Sequence, residues 1–240
     1  MGSKLRYRNV LLKVSGEALM GSGAFGIDPD TVGRIAGDIK EGIGLGTAVH
    51  LVVGGGNIFR GVALAAKGAD RVSGDHMGML ATVMNAIALR MALQEQGVDA
   101  VVLSAIAMDE VCEPFSQRAA KAHASAGRTI IFAGGTGNPY FTTDTAAALR
   151  ACEMECDALL KATQVDGIYS ADPKTNPDAE RFETLTHSKV LSLGLEVMDA
   201  AAVSLTRDAA IPVVVFSLDE AGGFAKILKG EGRSTTVTVT

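Results

Sequence analysis

Residues 49–56 read Val-His-Leu-Val-Val-Gly-Gly-Gly, and this stretch decides the fold class. A run of β-branched and apolar residues that stops at three glycines is typical of a buried strand ending in a tight turn. Similar runs recur at Val10–Val14, Ala100–Leu103, Thr129–Ala133, Ala158–Leu160 and Pro212–Ser217. Strands that are apolar throughout indicate a parallel sheet covered on both faces. The last run, Thr235–Thr240, predicts an edge strand or a hairpin arm.

Longer stretches with helical periodicity separate these strands. Asp28-Pro29 is typical of an N-cap and first helical residue, and predicts a helix over Asp30–Leu45. Further helices are predicted at Met77–Gln96, Thr145–Cys156 and Asp199–Ala210. The second of these four predicted helices carries an apolar stripe, which we expect to face the core. The stripe consists of Met77, Leu80, Met84, Ile87 and Met91. The alternation predicts an α/β three-layer sandwich around a mainly parallel central sheet, formed by one domain over residues 1–240.

Composition narrows the class of function. The 240 residues contain 22 Lys+Arg and 27 Asp+Glu, a net charge of −5, which disfavours nucleic-acid binding through bulk electrostatics. No uninterrupted apolar stretch approaches ~18 residues, so we expect no membrane association. Three cysteines, an odd number without a nearby metal-ligand pattern, favour buried thiols and a reducing cytoplasm.

Two glycine turns follow predicted strands and carry cations. Lys13 precedes Ser15-Gly16, and a lysine in an apolar strand needs an anionic partner unless the strand lies at a wet edge. Gly54-Gly55-Gly56 precedes Arg60, which suits an oxyanion held by backbone N–H groups and a guanidinium. A plain tight turn with a surface arginine is the alternative at the second position.

The third glycine-rich loop, Gly134–Asp144, is long and aromatic for a simple connector, which favours a ligand-binding loop. Thr143 is predicted to cap the following helix. Asp144 would then either complement the helix dipole or orient a lysine or a metal-bound phosphate.

Two further segments give less specific indications of function. Tyr169 either stacks on a base or is a half-buried loop residue. Asp75 is either an N-cap or an acceptor for ribose hydroxyls, and His76 is more often structural in such a position. The sequence contains no set of histidine, carboxylate and nucleophile, whereas several anion-binding turns with a few cations suit phosphoryl transfer.

These motifs resemble those of the bacterial uridylate kinases, in the amino-acid kinase superfamily. The superfamily likeness lies in Leu11–Leu19 and Val53–Gly61. A further matching stretch is Lys161–Gly167, and the likeness more specific to uridylate kinases lies in Gly74–Asn85 and Thr136–Asp144. The resemblance implies an amino-acid kinase fold and transfer of a phosphoryl group from ATP to UMP with Mg²⁺, the ion being carried by the ATP phosphates.

The resemblance also assigns roles by position. It implies phosphoryl-transfer roles for Lys13, Arg60, Asp144 and Lys161, with Asp199 as a weaker candidate. ATP would contact Lys13, Val14, Ser15, Gly16, Gly56, Arg60, Thr163, Tyr169 and Asp172. UMP would contact Gly55, Asp75, Thr136, Gly137, Asn138, Pro139, Tyr140, Phe141, Thr142 and Thr143. The part before about residue 150 would bind mainly UMP, and the part after it mainly ATP.

Regulation and assembly are implied in the same way. The family is typically a homohexamer that GTP activates and UTP inhibits. The GTP-response segment aligns with Gly21, Ser22, Gly23, Ala24, Phe25 and Gly26. Two alternatives stay open: a related kinase that phosphorylates carbamate or an amino-acid carboxylate, and a non-catalytic nucleotide sensor on the same fold.

Overall fold

The computed structural model describes residues 5–59, 70–173, 175–195, 197–218 and 222–239. Eleven strands occur within them. They are β1 (Asn9–Val14), β2 (Ala48–Val53), β3 (Ala100–Ser104), β4 (Glu113–Pro114), β5 (Thr129–Ala133), β6 (Ala158–Thr163), β7 (Ile168–Tyr169), β8 (Arg181–Phe182), β9 (Thr184–Thr186), β10 (Val213–Ser217) and β11 (Thr235–Thr238).

Nine of these strands form one sheet in the order β4-β3-β5-β2-β1-β6-β10-β11-β9. Every neighbouring pair in it is parallel except β10 and β11. Strands β7 and β8 form a separate antiparallel pair. β11 lies second from the edge and follows a helix, so the prediction of an edge strand or hairpin arm at Thr235–Thr240 is wrong.

Seven α-helices cover the two faces of the sheet, within the described ranges. They are α1 (Pro29–Gly44), α2 (Arg71–Glu95), α3 (Gln117–Ser125), α4 (Thr143–Glu153), α5 (His187–Ser192), α6 (Ala200–Asp208) and α7 (Gly223–Lys229). Helices α1, α2 and α7 pack with Val10, Leu12 and Val14 on one face. Helices α3–α6 pack with Leu11 and Leu159 on the other. The predicted three-layer α/β sandwich is confirmed.

Helix α2 begins six residues before the predicted start. Asp70 is its N-cap, and the Asp70 carboxylate accepts from the backbone N–H of Ser73 at 2.8 Å. The polar first turns hide this start from a periodicity argument, because they contribute no apolar stripe. Asp75 therefore lies in the second turn, and its interpretation as an N-cap is wrong.

The predicted core stripe of α2 is also wrong. Met77, Leu80, Met84 and Met91 are 46–55% exposed, and Ile87 is partly buried. The buried residues are Met79, Val83, Ala86, Leu89 and Leu93. The helix thus carries two apolar stripes, and the one with smaller side chains fits more closely against the sheet. Periodicity identifies both stripes but cannot rank them.

Helix α2 alone, within the described ranges, is long and apolar enough to cross a membrane by length and composition. Half of its most apolar window is buried inside the protein. A core helix of a globular protein meets the same two criteria, so α2 is weak evidence for a membrane span.

The three cysteines are free thiols, two buried and one half-buried. Burial raises the pKa of each, and that of Cys156 to about 12, so all three are protonated and unreactive at neutral pH.

Candidate active site

The loops that follow β5, β2, β1 and β6 meet at one edge of the sheet. These four strands are adjacent and parallel, so their carboxyl ends lie side by side. In open α/β sheets this edge is where ligands bind. The three glycine-rich turns of the sequence therefore surround one site.

Two lysines and one aspartate form the buried centre of this site. Lys13 and Lys161 are direct register partners on β1 and β6, and their side chains point to the face that carries α4. Asp144, in the first turn of α4, lies between them. Lys13 Nζ is 2.8 Å from Asp144 Oδ1, and Lys161 Nζ is 2.7 Å from Asp144 Oδ2. Since β1 is central and Lys13 is buried, the wet-edge interpretation of Lys13 is wrong.

The charges of this cluster determine its protonation. Burial by itself raises the pKa of Asp144, but the charges and hydrogen bonds of Lys13 and Lys161 outweigh it, and the net direction is downward. Burial lowers the pKa of Lys161, and the nearby Asp144 carboxylate only partly opposes it. Asp144 is therefore ionised at neutral pH and holds two cations that would otherwise repel each other.

A threonine and a second aspartate fix the position of Asp144. Thr142, and not Thr143 as predicted, is the N-cap of α4, and its Oγ1 accepts from the N–H of Asp144 at 3.0 Å. Thr142 Oγ1 donates in turn to Asp199 at 2.5 Å, and Thr145 Oγ1 donates to the same carboxylate at 2.9 Å. Asp199 also caps α6, so it joins the first turns of two helices.

Two of the glycine turns pack against each other, and this packing requires some of their glycines but not all of them. A Cβ at Gly16 would lie 2.6 Å from Asn57 Oδ1 and 2.7 Å from Gly54 O. Packing alone therefore requires glycine at 16. A Cβ at Gly56 would meet nothing nearer than Glu17 at 3.8 Å. Because packing does not require glycine there, Gly56 favours the close approach of a ligand to the backbone.

A buried pair of asparagines supports these turns from behind. Asn85 Nδ2 donates to Gly54 O and to Asn57 Oδ1, each at 2.6 Å. The backbone N–H of Gly26 donates to Asn57 O at 2.8 Å, and Asn57 Nδ2 donates to Gly26 O at 2.8 Å. The segment Gly21–Gly26 is thereby tied to the glycine triplet.

Two cavities are lined by lysines of the cluster, and a third is lined by Thr142 and Thr143, directly before Asp144. The first, of about 550 Å³, is lined by Lys13, Ser15 and Gly21, and the second, of about 610 Å³, by Tyr169 and several apolar side chains. These two adjoin, because both are lined by Lys161, Thr163, Val165 and Asp172. Tyr169 is partly buried, and its hydroxyl donates to Asp166 at 2.6 Å.

The third cavity, of about 310 Å³, lies against the glycine triplet. It is lined by Gly55, Gly56, Arg71, Gly74, Asp75, Thr136 and Phe141–Thr143, with Phe59, Gly78, Met79, Thr82 and Gly135. Asp75 accepts from Arg71 Nε and from the backbone N–H of Tyr140. Gly56 and the start of α4 therefore line a cavity that is smaller than either of the first two.

Known proteins are similar to this chain in sequence and in structure. A model of the amino acid kinase family matches residues 9–217. Curated proteins named uridylate kinase from Brucella anthropi and Rhizobium meliloti are 64% and 65% identical over 238 residues, which is 99% of this chain and of each of theirs. The chain belongs to the uridylate kinase family.

Solved structures agree with this membership. A structure titled UMP kinase from Bacillus anthracis superposes with a TM-score of 0.93 at 38% identity, covering 97% of this chain and 96% of that one. A structure titled UMP kinase from Ureaplasma parvum superposes with a TM-score of 0.91 at 36% identity, covering 98% of this chain and all of that one.

Most residues singled out from the sequence lie around the three cavities of this uridylate kinase family member. Others line none of these cavities: Val14 points its side chain into the core on the opposite face, and Phe25 is 83% exposed. Asn138, Pro139 and Tyr140 belong to the loop without lining the third cavity. Arg60 lies outside the described residues, so its assigned role stays a prediction.

Four residues of the site were missed from the sequence. Arg34 lines the first cavity, and Asn57 and Asn85 hold the glycine turns. A fourth, Arg71, precedes Asp75 by one helical turn, and this i, i+4 spacing of opposite charges was a signal that could have revealed it.

Proposed function

We propose that the chain transfers the γ-phosphoryl group of ATP to UMP, giving ADP and UDP. The observation that carries this proposal is the cluster of Lys13, Asp144 and Lys161, whose lysines line the larger pair of cavities, while Thr142 and Thr143, directly before Asp144, line the smaller one. The larger pair accommodates a nucleoside triphosphate, and the smaller a nucleoside monophosphate. Full-length relatives named uridylate kinase support the choice of acceptor.

The reaction requires the protein mainly to position the substrates and to stabilise charge. A phosphate oxygen of UMP attacks the γ-phosphorus, and the bond from that phosphorus to the β–γ bridging oxygen breaks as ADP leaves. The nucleophile is already an anion, so no strong general base is needed. Lys13 and Lys161 neutralise charge on the transferring group, and Asp144 keeps both ammonium groups in place.

We propose that Mg²⁺ arrives as part of the MgATP substrate. Mg²⁺ is commonly held by substrate phosphates with one or two protein carboxylates. Among the described residues, no group of three or more His, Cys, Asp or Glu side chains lies together, while Asp144 and Asp199 lie near the lysines. These carboxylates suit a metal that the nucleotide carries, and the ion adds positive charge at the transferring group.

The cavities suggest which residues hold each substrate. We propose that Ser15, Gly16 and Gly56 approach the ATP phosphates, and that Thr163, Tyr169 and Asp172 contact its nucleoside. Gly55, Asp75 and the loop Thr136–Thr143 would hold UMP around the third cavity. The two substrates would then meet beside Gly56.

The first test is ADP release from MgATP with UMP, CMP, dTMP, carbamate and N-acetylglutamate offered separately. We expect turnover mainly with UMP. Turnover with a different acceptor would retain phosphoryl transfer and overturn the assignment of the third cavity. Binding of ATP and UMP without ADP release would instead favour a nucleotide sensor.

We also propose activation by GTP and inhibition by UTP. The segment Gly21–Gly26 is tied through Asn57 to the glycine triplet, and Gly21 lines the first cavity. A ligand that moves this segment would therefore also move the phosphate-binding turns. Inhibition by UTP rests on the family resemblance, and both effectors can be titrated into the ADP-release assay.

We propose that the protein assembles as a homohexamer and works in the cytoplasm. The exposed stripe of α2, formed by Met77, Leu80, Met84 and Met91, supports self-association, because four large apolar side chains on one helix face are costly to leave in water. Free, protonated thiols suit a reducing compartment.

Leu80→Glu is expected to shift the protein toward its 24.7 kDa monomer, because it places a charge in the middle of the apolar stripe. Sedimentation velocity at micromolar concentration measures the species present. Val239→Glu is the matched control, since Val239 is 44% exposed and far from α2 in sequence. Equal sedimentation of wild type and Leu80→Glu as large assemblies would exclude α2 from the interface.

A further inference from the structure

Asp75 is held by two elements that belong to different parts of the chain. Arg71 Nε lies 2.8 Å from Asp75 Oδ1 and 2.9 Å from Oδ2, so its one Nε–H group is shared between both oxygens and clamps the carboxylate. The backbone N–H of Tyr140 donates to Oδ2 at 2.7 Å. The carboxylate therefore joins the second turn of α2 to the loop Thr136–Thr143.

These contacts leave the two oxygens unequally occupied. Oδ2 accepts from both Arg71 and Tyr140, whereas Oδ1 accepts from Arg71. Each carboxylate oxygen can accept about two hydrogen bonds. Oδ1 thus retains capacity for a further donor, and Asp75 lines the third cavity. A sugar hydroxyl is a donor of the right kind.

The loop itself depends on the same clamp. Tyr140 adopts a φ of +72°, in the left-handed region that L side chains rarely occupy. The hydrogen bond from its N–H to Asp75 holds this conformation, and the Arg71 guanidinium carbon lies 5.4 Å from the centroid of its ring. Cations at this distance are attracted to the ring face.

The Arg71–Asp75 ion pair contributes too little to folding stability for that to be its main role. The Arg71 side chain is 44% exposed, and exposed ion pairs contribute only about 0–1 kcal/mol to folding. Its guanidinium matters instead for direction, because the Nε–H bond is fixed in the plane of the group, whereas the donors of a lysine ammonium rotate.

We propose that Arg71 is a positioning residue for the acceptor nucleotide, which orients Asp75 Oδ1 toward a ribose hydroxyl and holds the Tyr140 loop. The inference deepens the proposed function and rests on it. Arg71 does not touch the transferring phosphoryl group in this role. Its effect should therefore fall on the KM for UMP and on ribose specificity, rather than on kcat or on the KM for ATP.

The test is steady-state kinetics of Arg71→Gln and Arg71→Lys with UMP, 2′-deoxy-UMP and 3′-deoxy-UMP. We expect Arg71→Gln to raise the KM for UMP by about tenfold with the KM for ATP within about twofold of wild type. The ratio of kcat/KM for UMP to kcat/KM for at least one of the two deoxynucleotides should fall to about threefold or less. Arg71→Lys should raise the KM for UMP less than Arg71→Gln does, because lysine restores the positive charge but not the guanidinium.

A double-mutant cycle tests whether Arg71 acts through Asp75. Adding Arg71→Gln to Asp75→Asn should cause no further increase in the KM for UMP if the two side chains act as a unit. Arg128→Gln is the matched control. Arg128 Nε also contacts an aspartate, Asp99, at 3.0 Å, but at the amino ends of β3 and β5, at the opposite edge of the sheet.

Equal increases in both KM values, or unchanged ribose discrimination in an active Arg71→Gln, would overturn the proposal. If that variant does not unfold cooperatively, Arg71→Lys is judged by the same two criteria. Wild-type protein without UMP-dependent ADP release would instead refute the proposed function, so the two failures are distinguishable.

Discussion

Lys13→Ala is expected to lose phosphoryl transfer by about 10³-fold while the protein still unfolds cooperatively. Removal of one preorganised charge from a developing anion costs about 10²–10³ in rate, and phosphoryl transfer depends almost entirely on such charges. The fold should tolerate the change, because Asp144 keeps Lys161 at 2.7 Å as its counterion. No uncompensated carboxylate is then left in the buried site.

ADP release with saturating MgATP and UMP measures this effect, and thermal unfolding measures the integrity of the fold. Lys121→Ala is the matched control, because Lys121 forms an exposed ion pair with Glu155 on the surface. The control should retain wild-type turnover. Turnover of Lys13→Ala within about tenfold of wild type would remove Lys13 from the mechanism.

Asp144→Asn is expected to lose both turnover and stability. It leaves Lys13 and Lys161 as adjacent buried cations with no carboxylate between them. Loss of one partner from a buried ion pair costs about 3–5 kcal/mol when the group is fully buried. The Asp144 side chain is 15% exposed, so a decrease of about 2–4 kcal/mol in the free energy of unfolding is the expected range.

The pH dependence of that decrease follows from the direction of the pKa shift. The pKa of Asp144 is lower in the folded protein than in the unfolded chain, so its stabilising contribution is fully present above about pH 4. It is lost as the pH falls through the folded pKa. The stability difference between wild type and Asp144→Asn should therefore shrink in acid.

Chemical denaturation at several pH values measures this difference, and ADP release measures the loss of turnover, which we expect to be about 10²–10³-fold. Glu153→Gln serves as control, because Glu153 forms an ion pair with Arg150 at the far end of the same helix. A stability difference that stays constant between neutral and acid pH would contradict the role of Asp144 as the counterion of two lysines.

Most of the fold could be predicted from the sequence, because its signals are local. The run Thr129–Ala133 coincides with β5, and Asp28-Pro29 marks the start of α1. Short elements such as β4 and β7–β9 were missed, since two- or three-residue strands have no periodicity of their own and form only where a neighbouring strand offers partners.

Some features of the candidate site could likewise be predicted from the sequence, and others could not. Lys13, the glycine triplet and Asp144 could be singled out as residues of unusual type in their positions. That Lys13 and Lys161 share one carboxylate could not, because 148 positions separate them in the chain and only the register of β1 with β6 brings them together. The roles of Asn57, Asn85 and Arg71 also depend on such long-range contacts.

The alternation of strands and helices, the glycine turns and the family could be predicted from the sequence, because each rests on motifs of residues close together in the chain. Which stripe of α2 is buried, which lysines are neighbours and what Asp75 contacts became clear only from the folded protein. Those outcomes depend on packing and electrostatics between distant segments, where shape and charge of both partners must match.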